Sequence, residues 1–181
     1  MGVGPGAFLD VVRVPALVVE SPAAEYVKLT ISATPPANVA VEQFDVSSVR
    51  SVVGFGPGWY EPEFNPVTGQ RWRWLSERGE LRYVTPDDSG AILHLQGESP
   101  RKYYSRASRI VVRAGERVLH EVTVADDFSL DVTVPAALTP STLVVETDQT
   151  HVPAESRWRR TNDRRRLGLR IFRCVLSSVE R

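Results

Sequence analysis

Apolar and polar residues alternate with a period of two along several stretches of this chain. "VKLTISA" sets Val27, Leu29, Ile31 and Ala33 against Lys28, Thr30 and Ser32, and "FSLDVTV" sets Phe128, Leu130, Val132 and Val134 against Ser129, Asp131 and Thr133. That spacing marks a half-buried strand, because successive side chains of extended backbone point to opposite faces. "SRIVVRAGERVLHEVTV" predicts a hairpin. Its two β-branched runs flank Ala114-Gly115, where glycine supplies the positive φ of a tight turn. Further strands are predicted around 9–20, 38–45, 71–75, 80–84, 91–96, 141–147 and 167–177. Pro35-Pro36, Gly56-Pro57-Gly58, Pro86, Pro100, Pro135 and Pro140 punctuate them, as turns and edges require. No run of a dozen residues has helical periodicity, and a short helical turn is expected only near 47–52 or 135–140. About ten short strands separated by turn signals predict an all-β fold, an antiparallel sandwich of jelly-roll type.

At 181 residues the chain has the length of one domain with a core large enough to need no staples. The weakest point in the pattern lies near 47–57, so residues 1–46 are either part of the sandwich or an accessory sheet or extension. Lysine plus arginine balance aspartate plus glutamate at 22 each, so no global field draws the protein to nucleic acid or a membrane. No segment approaches the roughly 18 consecutive apolar residues of a membrane span. The start "MGVGPGAFLDVVRVPALVV" lacks the basic region of a signal peptide. A soluble protein, cytoplasmic or peripheral to a membrane, is therefore expected. The single cysteine, Cys174, sits in the apolar run "LGLRIFRCVL" and is expected to pack as a small hydrophobe.

Two stretches are dense in chemistry. "GPGWYEPEFNPVTGQRWRWLSERGELRYV" holds three of the four tryptophans. In "QRWRWL", Trp72 and Trp74 share one face of a strand and Arg71 and Arg73 the other. Trp72 and Trp74 read either as core plugs or as part of a binding face. Trp59 and Tyr60 lie in a glycine-proline loop, where they suit stacking on sugar rings, with Glu61, Glu63, Asn65 and Arg71 to orient hydroxyls. Glu61 and Glu63 also raise the question of a glycosidase carboxylate pair, since two residues of extended chain separate their Cα atoms by about 6.5–7 Å. No other feature of the sequence supports catalysis there.

The second stretch is "HVPAESRWRRTNDRRRLGLRIF". Residues 151–173 carry eight arginines against Glu155 and Asp163. Asp163 lies two residues before Arg165 and beside Arg164, so a carboxylate–guanidinium fork that locks the loop is one reading. An anion subsite built from Arg164 and Arg165, with Trp158 stacking between Arg157 and Arg159, is the other. The balanced total charge and the lack of a known motif argue against nucleic acid. His94, His120 and His151 are far apart in sequence, with no metal-ligand spacing, and no nucleophile or dinucleotide motif appears. The chain is expected to be no enzyme and to carry no cofactor or metal.

Taken in order, Gly58 and Trp59, the strand Arg71 to Trp74, and Asp163, Arg165, Leu167 and Gly168 entering the last strand resemble a β-sandwich domain of bacterial cell-envelope polysaccharide proteins. Such domains are appended to, or encoded beside, glycosyltransferases that build surface glycans. The resemblance covers about residues 54–178. It implies a glycan-related context, with fold-specifying roles for Trp72, Asp163, Leu167 and Gly168 and no catalytic residue. The expectation is a carbohydrate-binding or accessory module that binds through Trp59, Tyr60, Glu61, Glu63, Arg71, Trp74, Arg164 and Arg165. The alternative is an interaction domain that docks to a glycosyltransferase or to itself.

Overall fold

The computed structural model describes residues 51–85, 90–136, 142–155 and 161–178. The strands expected at 9–20, 27–33 and 38–45 and the Arg157–Arg160 run lie outside them, as does most of each expected helical turn. Ten strands follow one another: β1 Val52–Phe55, β2 Glu63–Phe64, β3 Arg71–Trp74, β4 Arg78–Val84, β5 Ala91–Glu98, β6 Ser108–Ala114, β7 Arg117–Val124, β8 Asp127–Val134, β9 Thr142–Thr147 and β10 Arg170–Ser178. A single 3₁₀ turn, Pro153–Glu155, is the one helical element among the described residues.

The strands form two five-stranded sheets, ordered β1-β4-β9-β6-β7 and β2-β3-β10-β5-β8. Without the short β1 and β2, the pairs β3–β10, β4–β9, β5–β8 and β6–β7 are all antiparallel. They are the rungs of one long hairpin whose tip is β6–β7. Rolling that ribbon so that β10 also pairs β5 and β9 also pairs β6 closes the two sheets. This is the jelly-roll topology that the strand pattern predicts. At the ribbon's tip Ala114 pairs Arg117 across a two-residue turn, and Gly115 has φ 56°.

Between the sheets lies one continuous core. Leu81, Ile110, Val112, Leu143 and Val145 come from the first sheet, and Leu93, Leu95, Leu130, Val132 and Ile171 from the second. In β8 the alternation of the sequence is the alternation of burial: Phe128, Leu130, Val132 and Val134 are buried and Asp127, Ser129, Asp131 and Thr133 exposed. Each side chain so buried contributes about 1.5–3 kcal/mol of transfer free energy, which makes the register of a half-buried strand costly to shift. Cys174 packs against the same core, and burial pushes its thiol up to about 12.

In β3 it is the arginine face that meets the main core, while Trp74 is buried on the other face. Arg73 stands opposite Ile171, a core residue, so Arg73 points between the sheets and the tryptophans point out. Its side chain is 14% exposed, its guanidinium lies 4.5 Å from the Phe55 ring centroid, and it donates to the Tyr60 carbonyl at 3.2 Å. The sandwich is open enough at this end for an arginine stem to serve as core while its charge meets a π face and a carbonyl.

Candidate functional site

The Gly56–Glu61 loop is stitched onto the corner between β3 and β4. Gly56 N–H donates to Glu80 O, Glu80 N–H to Pro57 O, Ser76 N–H to Gly58 O and Tyr60 N–H to Trp74 O, all at 2.8–2.9 Å. Gly58 has φ 87°, and a Cβ there would run into the Arg78 carbonyl, so glycine is required on two counts. The loop thereby fixes Trp59 and Tyr60 in different environments. Trp59 packs against the core, edge-on to Phe55 at 5.1 Å, and its indole Nε1 is buried without a partner. It is a packing residue more than a stacking platform. Tyr60 turns the other way, onto the outer face.

There Tyr60, Glu63, Trp72, Asp163 and Arg165 meet. Arg165 Nε donates to Asp163 Oδ1 at 3.0 Å and its Nη2 to Oδ2 at 2.7 Å, while Nη1 reaches Glu63 Oε1 at 2.7 Å. Glu63 also accepts from Trp72 Nε1 at 3.1 Å. The guanidinium lies 5.3 Å from the Tyr60 ring centroid, and the Tyr60 hydroxyl accepts from the Arg166 amide at 3.1 Å. These bonds to Arg165 hold the Asp163 carboxyl below its usual range. A second cation, Arg170, lies 5.1 Å from the Trp72 ring and bridges to Glu98 at 2.8 Å.

The remaining predicted residues lie outside this cluster. Arg71 is exposed on the other face of β3, in register with Phe64. Glu61 has a side chain 93% exposed and lies 4.0 Å from Arg73, so it and Glu63 serve different arginines and form no working pair. Arg164 is exposed beside Arg165. With Glu63 and Asp163 both on Arg165, the cluster carries two negative charges against one positive. An acidic ligand is therefore disfavoured at Arg165, contrary to the anion-subsite reading.

Trp74 is 7% exposed and presents no face to a ligand, which corrects its placement among the binding residues. It lies outside the main core, under a cap that the sequence does not announce. His151 meets its ring edge-on at 5.9 Å and stacks on Tyr103 at 3.6 Å. His151 and Leu167 bridge through reciprocal backbone bonds, and the Tyr104 hydroxyl reaches the carbonyls of Leu167 and Gly168 at 2.8 and 2.7 Å. Leu167 and Gly168 thus anchor the chain as it enters β10. Both His151 ring nitrogens are buried without a partner, and burial lowers its affinity for a proton.

Two features escape any reading of local sequence. One is a groove of about 420 Å³ on the first sheet, lined by residues that include Arg78, Arg109, Glu146 and Arg166. Its charges are paired, for example Arg166 with Glu77 at 2.8 Å and Arg109 with Glu121 at 2.7 Å, so it presents no single sign. The other is His94, which hydrogen-bonds Asp131 at 2.7 Å and Ser177 at 2.8 Å across three neighbouring strands. Among the described residues no cluster of histidine, cysteine and carboxylates is placed to hold a metal ion. In the same residues no helix is long and apolar enough to cross a membrane.

The fold and this cluster define a jelly-roll β-sandwich with an aromatic–ionic patch on one outer face. No family model matches the chain, and neither does any curated protein or solved structure.

Proposed function

We propose that the chain is a recognition module for neutral, hydroxyl-rich glycans of the kind found in bacterial surface polysaccharides, and that it binds them at the Tyr60–Trp72 face. One observation carries this reading. Two half-buried aromatic rings are held on the outer face by ionic contacts, Arg165 against Tyr60 and Arg170 against Trp72. Rings fixed in advance lose little entropy when a sugar stacks on them. Glu63 keeps lone pairs for hydroxyls, since only Arg165 and Trp72 donate to it, while exposed Glu61 and Arg164 lie nearby in the chain. The carboxylates of the cluster hold an arginine and are not poised to move protons, so the site acts by contact. The resemblance to glycosyltransferase-associated domains points to the same ligand class.

The test is intrinsic tryptophan fluorescence with iodide quenching, during titration with surface-polysaccharide fragments. Among the described tryptophans, Trp72 is expected to be quenchable and to be protected by a bound glycan. Tyr60→Ala should weaken binding by about 1–3 kcal/mol, the size of other ring-stacking contacts. A spectrum that no fragment shifts would remove the reading.

Docking to a protein is favoured by a different observation. Phe64 is 63% exposed and Val67 is 91% exposed on the β2–β3 hairpin, with Phe64 on the face opposite Trp72. An apolar tip of this kind suits an interface anchor. Loss of glycosyltransferase or self-association in Phe64→Ser, with glycan binding intact, would identify that role.

A further inference from the structure

The outer face of the second sheet carries a constellation unrelated to the glycan patch. Asp131 of β8 and His94 of β5 are direct cross-strand partners, and Ser177 of β10 lies diagonally across from His94, opposite Ile92. Asp131 Oδ1 is 2.7 Å from His94 Nδ1, and Ser177 Oγ is 2.8 Å from His94 Nε2. An ionised carboxylate only accepts, so Nδ1 carries the proton. In the neutral ring Nε2 is then an acceptor, and the Ser177 hydroxyl donates to it. This is the tautomer and the order of contacts by which an imidazole activates a serine, and such constellations are recognised by geometry and roles. Arg170, which packs on Trp72, stands seven residues before Ser177 on the same strand, about 20 Å away by strand rise. The two sites can therefore be tested separately.

We propose that Ser177 is an activated nucleophile that takes an acyl group from carboxylic esters with good leaving groups, with His94 as general base and Asp131 as its positioning carboxylate. Ser177 Oγ bonds to the carbonyl carbon as its proton passes to His94 Nε2. The bond to the leaving oxygen then breaks, and that oxygen departs with the proton from His94. Water attacks the acyl-serine by the same route, releasing the carboxylic acid and restoring the serine. The backbone amides paired along β10 and β5 lie in the plane of the sheet, so they do not favour an oxyanion above it. Activated esters, whose departure needs least help, are the fitting class. His94 has a side chain 27% exposed and Asp131 68%, which keeps the imidazole reachable and makes the carboxylate's contribution small.

The experiment uses the full chain with a fluorophosphonate probe and p-nitrophenyl acetate. The probe is expected to label the wild type once, on the peptide that contains Ser177, and Ser177→Ala should abolish both labelling and ester turnover. His94→Gln should slow labelling by about a hundredfold or more, the usual worth of a general base. Asp131→Asn should slow it by up to about fivefold, and Asp131→Glu should recover part of the rate, which a merely structural carboxylate would not do. Melting curves establish that each variant is folded. Peptide mapping of the labelled wild type needs no variant at all. A wild type that stays unlabelled, a label on another residue, or equal labelling rates in wild type and His94→Gln would overturn the proposal. A wild type that is labelled at Ser177 but binds no glycan would count against the patch alone.

Discussion

Arg165→Lys keeps the charge of the glycan-patch clamp and removes its fork. In the native cluster three guanidinium nitrogens serve two carboxylates, at 3.0 and 2.7 Å to Asp163 and 2.7 Å to Glu63. A hydrogen bond to a charged group contributes about 1.5–3 kcal/mol when well shielded. These side chains are 35%, 33% and 25% exposed for Arg165, Glu63 and Asp163, so screening reduces each bond to about 1 kcal/mol. A lysine has one nitrogen and keeps one carboxylate, so about two of these hydrogen bonds are broken, a destabilisation of about 2 kcal/mol. For a chain of this length that is a drop of about 4–8 °C in melting temperature. Thermal denaturation followed by circular dichroism reads it directly. The double variant with Glu63→Gln should lose less than the sum of the single losses, because both changes break the same ion pair. A melting temperature within 1 °C of wild type, or strict additivity in the pair, would refute the claim that this fork holds the patch (about 0.3–0.5 kcal/mol being the resolution of such a test).

Three further outcomes are expected. Gly168→Ala would place a Cβ 2.6 Å from the Ser76 carbonyl oxygen and 2.8 Å from Thr147 Cγ2, and should cost about 1–3 kcal/mol in a denaturant melt, since backbone must move. Stability should fall as pH drops below 6.5: burial lowers the His151 pKa from that value, so the unfolded chain binds the proton first and this contribution to stability is lost as pH falls. His151→Phe, which keeps the stack on Tyr103, should flatten that part of the pH–stability curve. Cys174 should react with a thiol reagent only at the rate of local opening, because its thiol is pushed up to about 12, and the reaction should accelerate sharply in subdenaturing urea.

Period and punctuation made β5 and β8 legible, because each buries one face, and Ala114-Gly115 marked the β6–β7 turn. The same logic could not reach β2, which is two residues long and exists only as the partner of Trp72 and Arg71. Alternation in β3 was visible as well, yet it divides a strand into two faces without saying which one meets the core. Tryptophan burial holds for Trp74, but on the outer face, while Arg73 takes the face toward the core. A second apolar layer, brought by Tyr103, Tyr104, His151 and Leu167, covers Trp74 from outside. The Asp163–Arg165 fork was legible because its partners are two residues apart, whereas Glu63, the third member, is 102 residues away. The same limit hid the His94 constellation. Its residues are separated by 37 and 83 positions and share no motif. They meet because β8, β5 and β10 are neighbours in that order, and because the register sets His94 against Asp131 and one diagonal step from Ser177. A one-residue slip of β10 would turn Ser177 to the opposite face. The bulge after Ile171 is one such shift: Ile171 pairs Gly97 and Arg173 pairs Gln96, so an extra residue lies between them. Deleting Val175, beyond the bulge, should therefore turn Ser177 to the inner face and abolish its labelling while His94 and Asp131 remain paired.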